Sequence, residues 1–393
     1  MGTRLAAADI STEQAVAYRV AMHHLDDRLA PGWLVDAAEP CALQDNAPAA
    51  AAVSLAARVD GLVPAEVERA VLVDRSLVRL ASLRGVTHVI ARRGGAAFAH
   101  GALAADESSL RDQLLGDWLT IEAAGWTARD ALAAVTGLLA TVLADGEART
   151  VDQLSAALHD RLPSGLEPWC DQCQAHHVPD QLLRLAGTAG SYCYGRPQDG
   201  DDVLVSLTAW LGGELEGTAD AARVELARRF LQAFAPAVPE HLAAWAGIGV
   251  EDARARFARL AFETVEVRFD GRAAWALEAD RDQLTDPPPA SGVRLLPPDD
   301  PFLQQRDRVT LLPDAAARGR VWEADHRPGV VLVDGRPAAT WSGRILDGCF
   351  GVAVEVLPGR RLSTRASLDV EDEVEMIAPF FGCDRVDVEI VEP

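Results

Sequence analysis

Apolar positions recur at helical spacing over residues 12–25, 47–58 and 64–72, so the chain opens with three amphipathic helices. The period then changes to two. "SLVRLASLR" (76–84) and "VTHVIARR" (86–93) read as paired strands joined at Gly85. Helices followed by a short hairpin is the layout of a winged helix. The order returns: helices at about 108–124, 128–144 and 151–161 lead into strand-like "VLVSL" (203–207). A third set spans about 219–260 and runs into "ETVEVRFDGRAAWALE". Within it, "PEHLAAWAGIGVEDARARFARL" (239–260) has helix, Gly turn and helix in sequence. Pro239 can open the first helix, and Gly247 and Gly249 supply the turn. "TDPPPASG" (285–292) is a linker by composition. Short strands then follow at regular spacing, "VRLLP", "RVTLLP", "GVVLVDGRPAATWSGRI" and "CFGVAVEVLPG", and predict a small barrel. A helix near 367–381 and the strand "RVDVEIVE" end the chain. The expected architecture is α+β, with three tandem winged-helix units at 1–105, 106–215 and 216–284. A C-terminal β-barrel with its closing helix and strand is expected over 292–393.

Composition narrows this picture. With 49% apolar residues the chain can bury a large core. No run approaches the roughly 18 apolar residues of a membrane span. The start, "MGTRLAAADISTEQ", lacks the layout of an export signal, so a cytoplasmic protein is expected. Six irregularly spaced cysteines suit reduced core residues or metal ligands better than a disulfide framework. All 37 basic residues are arginine, which leaves only the N-terminal amine for Schiff-base chemistry.

The formal charge is −22, so any footprint for a polyanion must be local. Residues 58–93 carry a net +3, whereas the stretch from Asp369 to the end carries −8. The N-terminal third is therefore the best place for an anionic partner, and acids elsewhere serve solubility. In the helix after Gly249, Arg254, Arg256 and Arg259 are preceded by Glu251 and Asp252. Acids in a first turn suit the helix dipole and repel DNA, which favours a structural helix over a recognition helix.

Two stretches carry candidate chemistry. "CALQDNAPAA" (41–50) places two carboxamides, Gln44 and Asn46, around Asp45. Carboxamides cannot act as acid or base near neutral pH. In extended backbone, positions i and i+2 face the same side, so Gln44 and Asn46 can address one ligand together. The rival reading is that Asp45 or Asn46 caps an alanine-rich helix with Pro48 near its first turn. "CDQCQAHHV" (170–178) sets Cys170 and Cys173 two residues apart, with His176 or His177 close behind. That is the spacing of a zinc knuckle, with Cys193 the nearest candidate for a fourth ligand. Alternatively, two reduced cysteines pack a turn and His177 bonds to backbone. "GRRLSTRAS" and "RRGGAAFAHGA" lack a P-loop or dinucleotide layout, and "LVSLTAWLGG" lacks a nucleophile elbow.

Several stretches, taken in order over about residues 20–360, resemble the AlkZ-like winged-helix DNA glycosylases. "CALQDNAPAAAAVSLAARVDGL" is similar to the family's "LQAQDPxxAxxxLxxR". "SLVRLASLRGVTHVIARR" resembles "LVRTWxMRGTLHLV", and "CDQCQAHHVPDQLLR" resembles a "CxxCGxRHVPxxLLR" stretch of the wider family. "GVRLLPPDDPFLQQRDRVTLLP" resembles "VRLLPxFDPYLLGRDR"; "ARRFLQAFAPAVPEHLAAWAGI" and "PGVVLVDGRPAATW" also match. The resemblance implies three winged helices wrapped into a C shape with a C-terminal barrel. It also implies a monofunctional glycosylase that removes bulky or cationic alkylated purines from double-stranded DNA, in some members as self-resistance to a DNA-alkylating antibiotic.

An N7-alkylated purine leaves as a neutral base, so the difficulty lies in the sugar cation and the attacking water. Carboxamide oxygens can orient that water and put negative dipole ends beside the cation. The resemblance thus assigns catalysis to Gln44 and position 46, with no metal or cofactor needed for the chemistry. This chain departs from the family's Gln, apolar residue, Gln pattern. Asn46 is one methylene shorter, and Asp45 replaces a core-facing apolar residue. A displacement of about 1 Å can cost on the order of a hundredfold in rate, while Asp45 could itself steady the cation or activate water. The resemblance further offers Arg84, His88, Arg306 and Arg308 as DNA contacts, keeps Asp300 and Pro301, and finds Asp299 where the family has an aromatic. Cys170, Cys173 and His177 remain candidates for a structural zinc. The expected assembly is a monomer. Two rivals share the scaffold: a protein that sequesters a small natural product or regulates transcription, and a biosynthetic enzyme in which Asp45 acts on a small substrate.

Overall fold

The computed structural model describes residues 8–324 and 327–392 of the chain. The first residues of the segment read against an export signal lie outside them. The chain is α+β, with many helices and several separate sheets, and it divides into two compact units. One unit comprises the residues up to Glu68, Arg228–His241 and those from Ala261 onward; the other comprises Arg69–Ala227 and Leu242–Leu260. Among the described residues, no helix is long and apolar enough to cross a membrane.

In the first unit, the helix Thr12–Met22 starts at a capping box in which the Ser11 and Gln14 side chains each bond the other's backbone N–H. Two of its faces are buried. Val16 and Val20 join Leu296, Phe302, Leu311 and Leu332 in one apolar cluster, and Ala15 and Tyr18 join Ile10, Val267, Ala276 and Leu284 in another. Arg19, 1% exposed on the same helix, is fully engaged. It pairs with Asp307 at 2.8 Å and donates to Gln305 Oε1 at 2.7 Å and to the Ala235 and Pro236 carbonyls. A buried guanidinium is tolerated only when paired and hydrogen-bonded in this way.

Three Asp-Gly dipeptides set the hairpins of this unit. Asp270-Gly271, Asp334-Gly335 and Asp347-Gly348 all have positive φ at both positions, as a two-residue type I′ turn requires. They join Thr264–Phe269 to Arg272–Leu277, Gly329–Val333 to Arg336–Leu346, and Arg336–Leu346 to Cys349–Val356.

The C-terminal strands correct the barrel expectation. They form an open five-stranded sheet in the order Val293–Leu296, Gly329–Val333, Arg336–Leu346, Cys349–Val356, Arg385–Val391. The last pair is parallel, and parallel neighbours need a crossover. The helix Thr364–Ile377 supplies it and packs against both edge strands. Its buried Glu373 accepts the Leu295 N–H at 3.2 Å, so a helix occupies the edge that closure would have had to pair.

In the second unit, Leu77–Ala81 and Thr87–Ala91 form the expected antiparallel hairpin, with Gly85 at φ +71° in its turn. The helix Ala128–Val142 is capped by Thr127 and buries Ala131, Val135, Leu139 and Val142 along one stripe. The helix expected over 108–124 is two, Glu107–Gln113 and Asp117–Ala123, because Leu115 takes a left-handed φ of +52° between them. Arg149–Thr150, Val203–Ser206 and Tyr192–Tyr194 make a small sheet, and Trp169–Cys170 with Ala175–His176 a two-stranded hairpin. In the helix Val250–Arg259, Asp252 and Arg256 form a buried pair at 2.9 Å. Arg256 also donates to the Gly101 and Leu103 carbonyls, so its charge serves packing.

Candidate active site

Gln44 ends a short extended stretch, Leu43–Gln44, in the first unit. It is 6% exposed, whereas Asp45 is half-buried and Asn46 exposed. The extended backbone that would align 44 with 46 stops at Gln44, and bends follow at 46–47. The capping reading is corrected here. The next helix, Ala50–Ala56, begins after Ala49, which sits at φ +58° and caps with no side chain, so neither Asp45 nor Asn46 occupies the cap position.

Gln44 is oriented by residues about 255 positions away. Its Nε2 donates to Asp299 Oδ2 at 3.2 Å, and its Oε1 accepts from Gln304 Nε2 at 3.0 Å. Gln304 Nε2 also donates to the Asp299 carbonyl at 2.8 Å. The amide orientations follow from the chemistry. A carbonyl can only accept, so Gln304 must present its NH2 there; Gln44 must then meet that NH2 with its oxygen and turn its own NH2 to the carboxylate. The other oxygen of Asp299 is held by Arg327. Arg308 lies within electrostatic reach of Asp299 and Arg327, half-buried with its guanidinium 5.1 Å from the Trp322 ring centroid. Arg306 is also half-buried on the same segment.

A buried ion pair fixes the loop that carries Asp299 and Gln304. Asp300, 1% exposed, receives both terminal nitrogens of Arg58 at 2.8 Å. It also accepts the Ser54 hydroxyl at 2.7 Å and the Phe302 N–H at 2.9 Å. The helix that follows Gln44 is thereby tied to the turn that orients it. Asp299 itself adopts φ +59°, a conformation Asp accepts more readily than most residues. In the sequence Asp299 stands out as a departure from the family, and nothing there pairs it with Gln44. Gln304 and Arg327 were missed, and their partnership has no local sequence signal.

The other candidates lie in the second unit. Arg84 is half-buried at φ +59° and donates to the Trp245 carbonyl at 3.0 Å. Its own carbonyl accepts from Gln181 Nε2 at 3.2 Å. His88 is 0% exposed; its Nδ1 lies 2.8 Å from the Val86 carbonyl, and its Nε2 is buried without a hydrogen-bond partner. Burial lowers its pKa to about 4, opposed by the Val86 bond.

This gives a pH prediction. An unfolded histidine titrates near pH ~6.5. Between there and about 4 the unfolded chain binds a proton that folded His88 does not. Stability should therefore fall as pH is lowered through that window, by ~3 kcal/mol from this residue. Urea midpoints measured across the window should fall less steeply in His88→Leu than in the unaltered protein. Parallel profiles would show that His88 is not a source of the acid sensitivity.

Cys170, Cys173 and His177 do come together, with one ligand atom from each lying within 4.8 Å of the others. His176 turns elsewhere, its Nδ1 2.8 Å from the Glu167 carbonyl. Cys193 is not in this group; it is buried in the strand Tyr192–Tyr194, where burial pushes its thiol up to about 12.

Comparison with known proteins places this geometry in context. An interstrand DNA cross-link repair glycosylase of Streptomyces sahachiroi is 27% identical, over 97% of this chain and 99% of its own. The solved structure of the Streptomyces sahachiroi DNA glycosylase AlkZ superposes with a TM-score of 0.78 at 24% identity, covering 98% of this chain and 100% of that one, and so shares the fold. The family model for DNA glycosylase AlkZ-like proteins matches residues 38–380, a span that includes Gln44, Asp299, Gln304 and Arg327, and the chain belongs to the AlkZ-like DNA glycosylase family.

Proposed function

We propose that this protein is a DNA repair glycosylase that hydrolyses the N-glycosidic bond of purines carrying bulky N7 alkyl groups, in the service of self-resistance to a DNA-alkylating natural product. The single observation that carries the reading is the buried Gln44 amide, held from both ends by Gln304 and by an Asp299 carboxylate that Arg327 anchors. An alkylated, cationic purine leaves without a proton. What the protein must supply is negative potential beside the developing sugar cation and a positioned water. The second lone pairs of the Gln44 oxygen and the Asp299 carboxylate suit both tasks. Asn46 and Asp45 stay in the proposed site as exposed and half-buried neighbours that complete it around bound DNA.

Arg308, within electrostatic reach of the carboxylate, and Arg306 two residues before it supply the positive charge that phosphates require, in a chain whose formal charge is −22, and Arg84 is a separate candidate phosphate contact. His88, being buried, would hold the Arg84–Gly85 turn. The same reading keeps 1–105, 106–215 and 216–284 as three winged-helix segments. With no lysine in the chain, a lyase step could draw only on the N-terminal amine, and the proposed reaction ends at the abasic site.

The test is incubation of purified protein with duplex DNA containing N7-alkylguanine, followed by cleavage of abasic sites. Base release by the unaltered protein, reduced on the order of a hundredfold in Gln44→Ala, is the expected result. No release would favour the rival that the strongly acidic surface supports, a protein that sequesters a small molecule on the same scaffold.

A further inference from the structure

We propose that Cys170, Cys173 and His177 form a zinc site that fixes the hairpin Trp169–Cys170/Ala175–His176, a role separate from base excision. Four observations carry it. The two cysteines and the histidine offer ligand atoms that all lie within 4.8 Å of one another. Tetrahedral zinc with thiolate bonds needs donors about 3.7 Å apart, so the ion asks for a contraction of about 1 Å at most.

The histidine is prepared for a metal. Nδ1 of His177 lies 2.7 Å from the Val178 carbonyl, which can only accept, so the ring proton sits on Nδ1. The lone pair is then on Nε2, which is buried, and the ring's other neighbour is the Cys170 side chain. A metal-bound imidazole shows this arrangement, its far N–H given to a carbonyl and its other nitrogen to the ion.

The turn holds the two cysteines together. The Gln174 N–H closes on the Cys170 carbonyl at 2.8 Å with Gln174 at φ +53°, and the Cys170 and Cys173 sulfurs stay within reach of one ion.

Finally, the hairpin is short, with the Trp169 and His176 rings in edge contact at 5.3 Å and His176 Nδ1 2.8 Å from the Glu167 carbonyl. Each strand is two residues long, and Trp169 is 52% exposed. An isolated two-stranded hairpin is marginal in water, and a metal ion can supply what a core does not. Binding releases the thiol protons to solvent. Three protein ligands leave one position, taken by water.

The experiment uses the full chain, expressed with zinc, kept reduced and passed over chelating resin before elemental analysis. About one zinc per chain is expected, falling to background in Cys173→Ser and in His177→Ala and unchanged in Cys349→Ser. Replacing zinc with cobalt should give intense thiolate-to-metal absorption in the unaltered protein, lost along with the metal in Cys170→Ser as in Cys173→Ser. Near-ultraviolet circular dichroism of each variant separates loss of metal from loss of fold. A reduced, folded protein that takes up neither ion at micromolar concentration overturns the proposal. So does a Cys173→Ser variant with full metal content and an unchanged cobalt spectrum. Base release measured on the same preparations does not enter either outcome.

Discussion

Asp300→Ala should destabilise the first unit by about 3–5 kcal/mol, the cost of stripping the partner from a buried ion. Arg58 is 2% exposed and places both terminal nitrogens on the Asp300 carboxylate. Removing that carboxylate leaves the guanidinium, among the described residues, with the Ser54 carbonyl at 2.7 Å as its acceptor. The Ser54 hydroxyl and the Phe302 N–H lose their acceptor as well. The measurement is the urea midpoint at neutral pH, followed by tryptophan fluorescence and far-ultraviolet circular dichroism. A matched apolar replacement, Arg58→Met with Asp300→Leu, should recover most of the loss, because burying a pair of ions is itself costly. If Asp300→Ala costs under about 1 kcal/mol, water reaches the pair in solution and the loop is not anchored as described. If it costs the full amount and the double substitution recovers nothing, the bonds to Ser54 and Phe302, rather than the charges, dominate.

The same pair shows what the sequence could and could not reveal. Local rules reach local structure. Pro64–Leu72 matches the helix read from periodicity, and the Asp-Gly turns set hairpin register through a backbone preference of two residues. The helix break at Leu115 escapes such rules, since nothing in leucine announces a left-handed φ. Alternation in the C-terminal strands is the same whether a sheet closes or stays open. What decides is that Glu373 and its helix take the edge, a contact 78 residues away from Leu295. The candidate site divides in the same way. Gln44 was visible as half of a resemblance, and Asp299 as a departure from one. Neither position contains the information that they meet, because the bond spans 255 residues. The substituted aromatic and the substituted amide each looked like a loss when taken singly. In space, the introduced carboxylate lies against the retained glutamine.

That juxtaposition leads to the second large effect. Asp299→Asn should lower the rate of base release by about one to two orders of magnitude, with DNA affinity unchanged or improved. The replacement keeps the shape and one accepting oxygen; with that oxygen on Gln44 Nε2 the amide stays oriented, and the new NH2 faces Arg327, whose 52% exposed side chain is free to swing away. It removes a negative charge that Arg327 and Arg308 now flank, and therefore makes the surroundings more positive. More positive potential favours phosphate and disfavours a sugar cation, so binding and chemistry should move in opposite directions. Single-turnover rates at saturating protein, alongside binding to DNA with an uncleavable sugar, separate the two. Gln44→Ala supplies the comparison, since it removes the amide and leaves the charge in place. Because the side chains touch, the double variant should fall short of the product of the two single losses. Should Asp299→Asn excise at the unaltered rate, the carboxylate serves only to orient Gln44, and the cation must be steadied by the amide oxygen and the substrate's own phosphates.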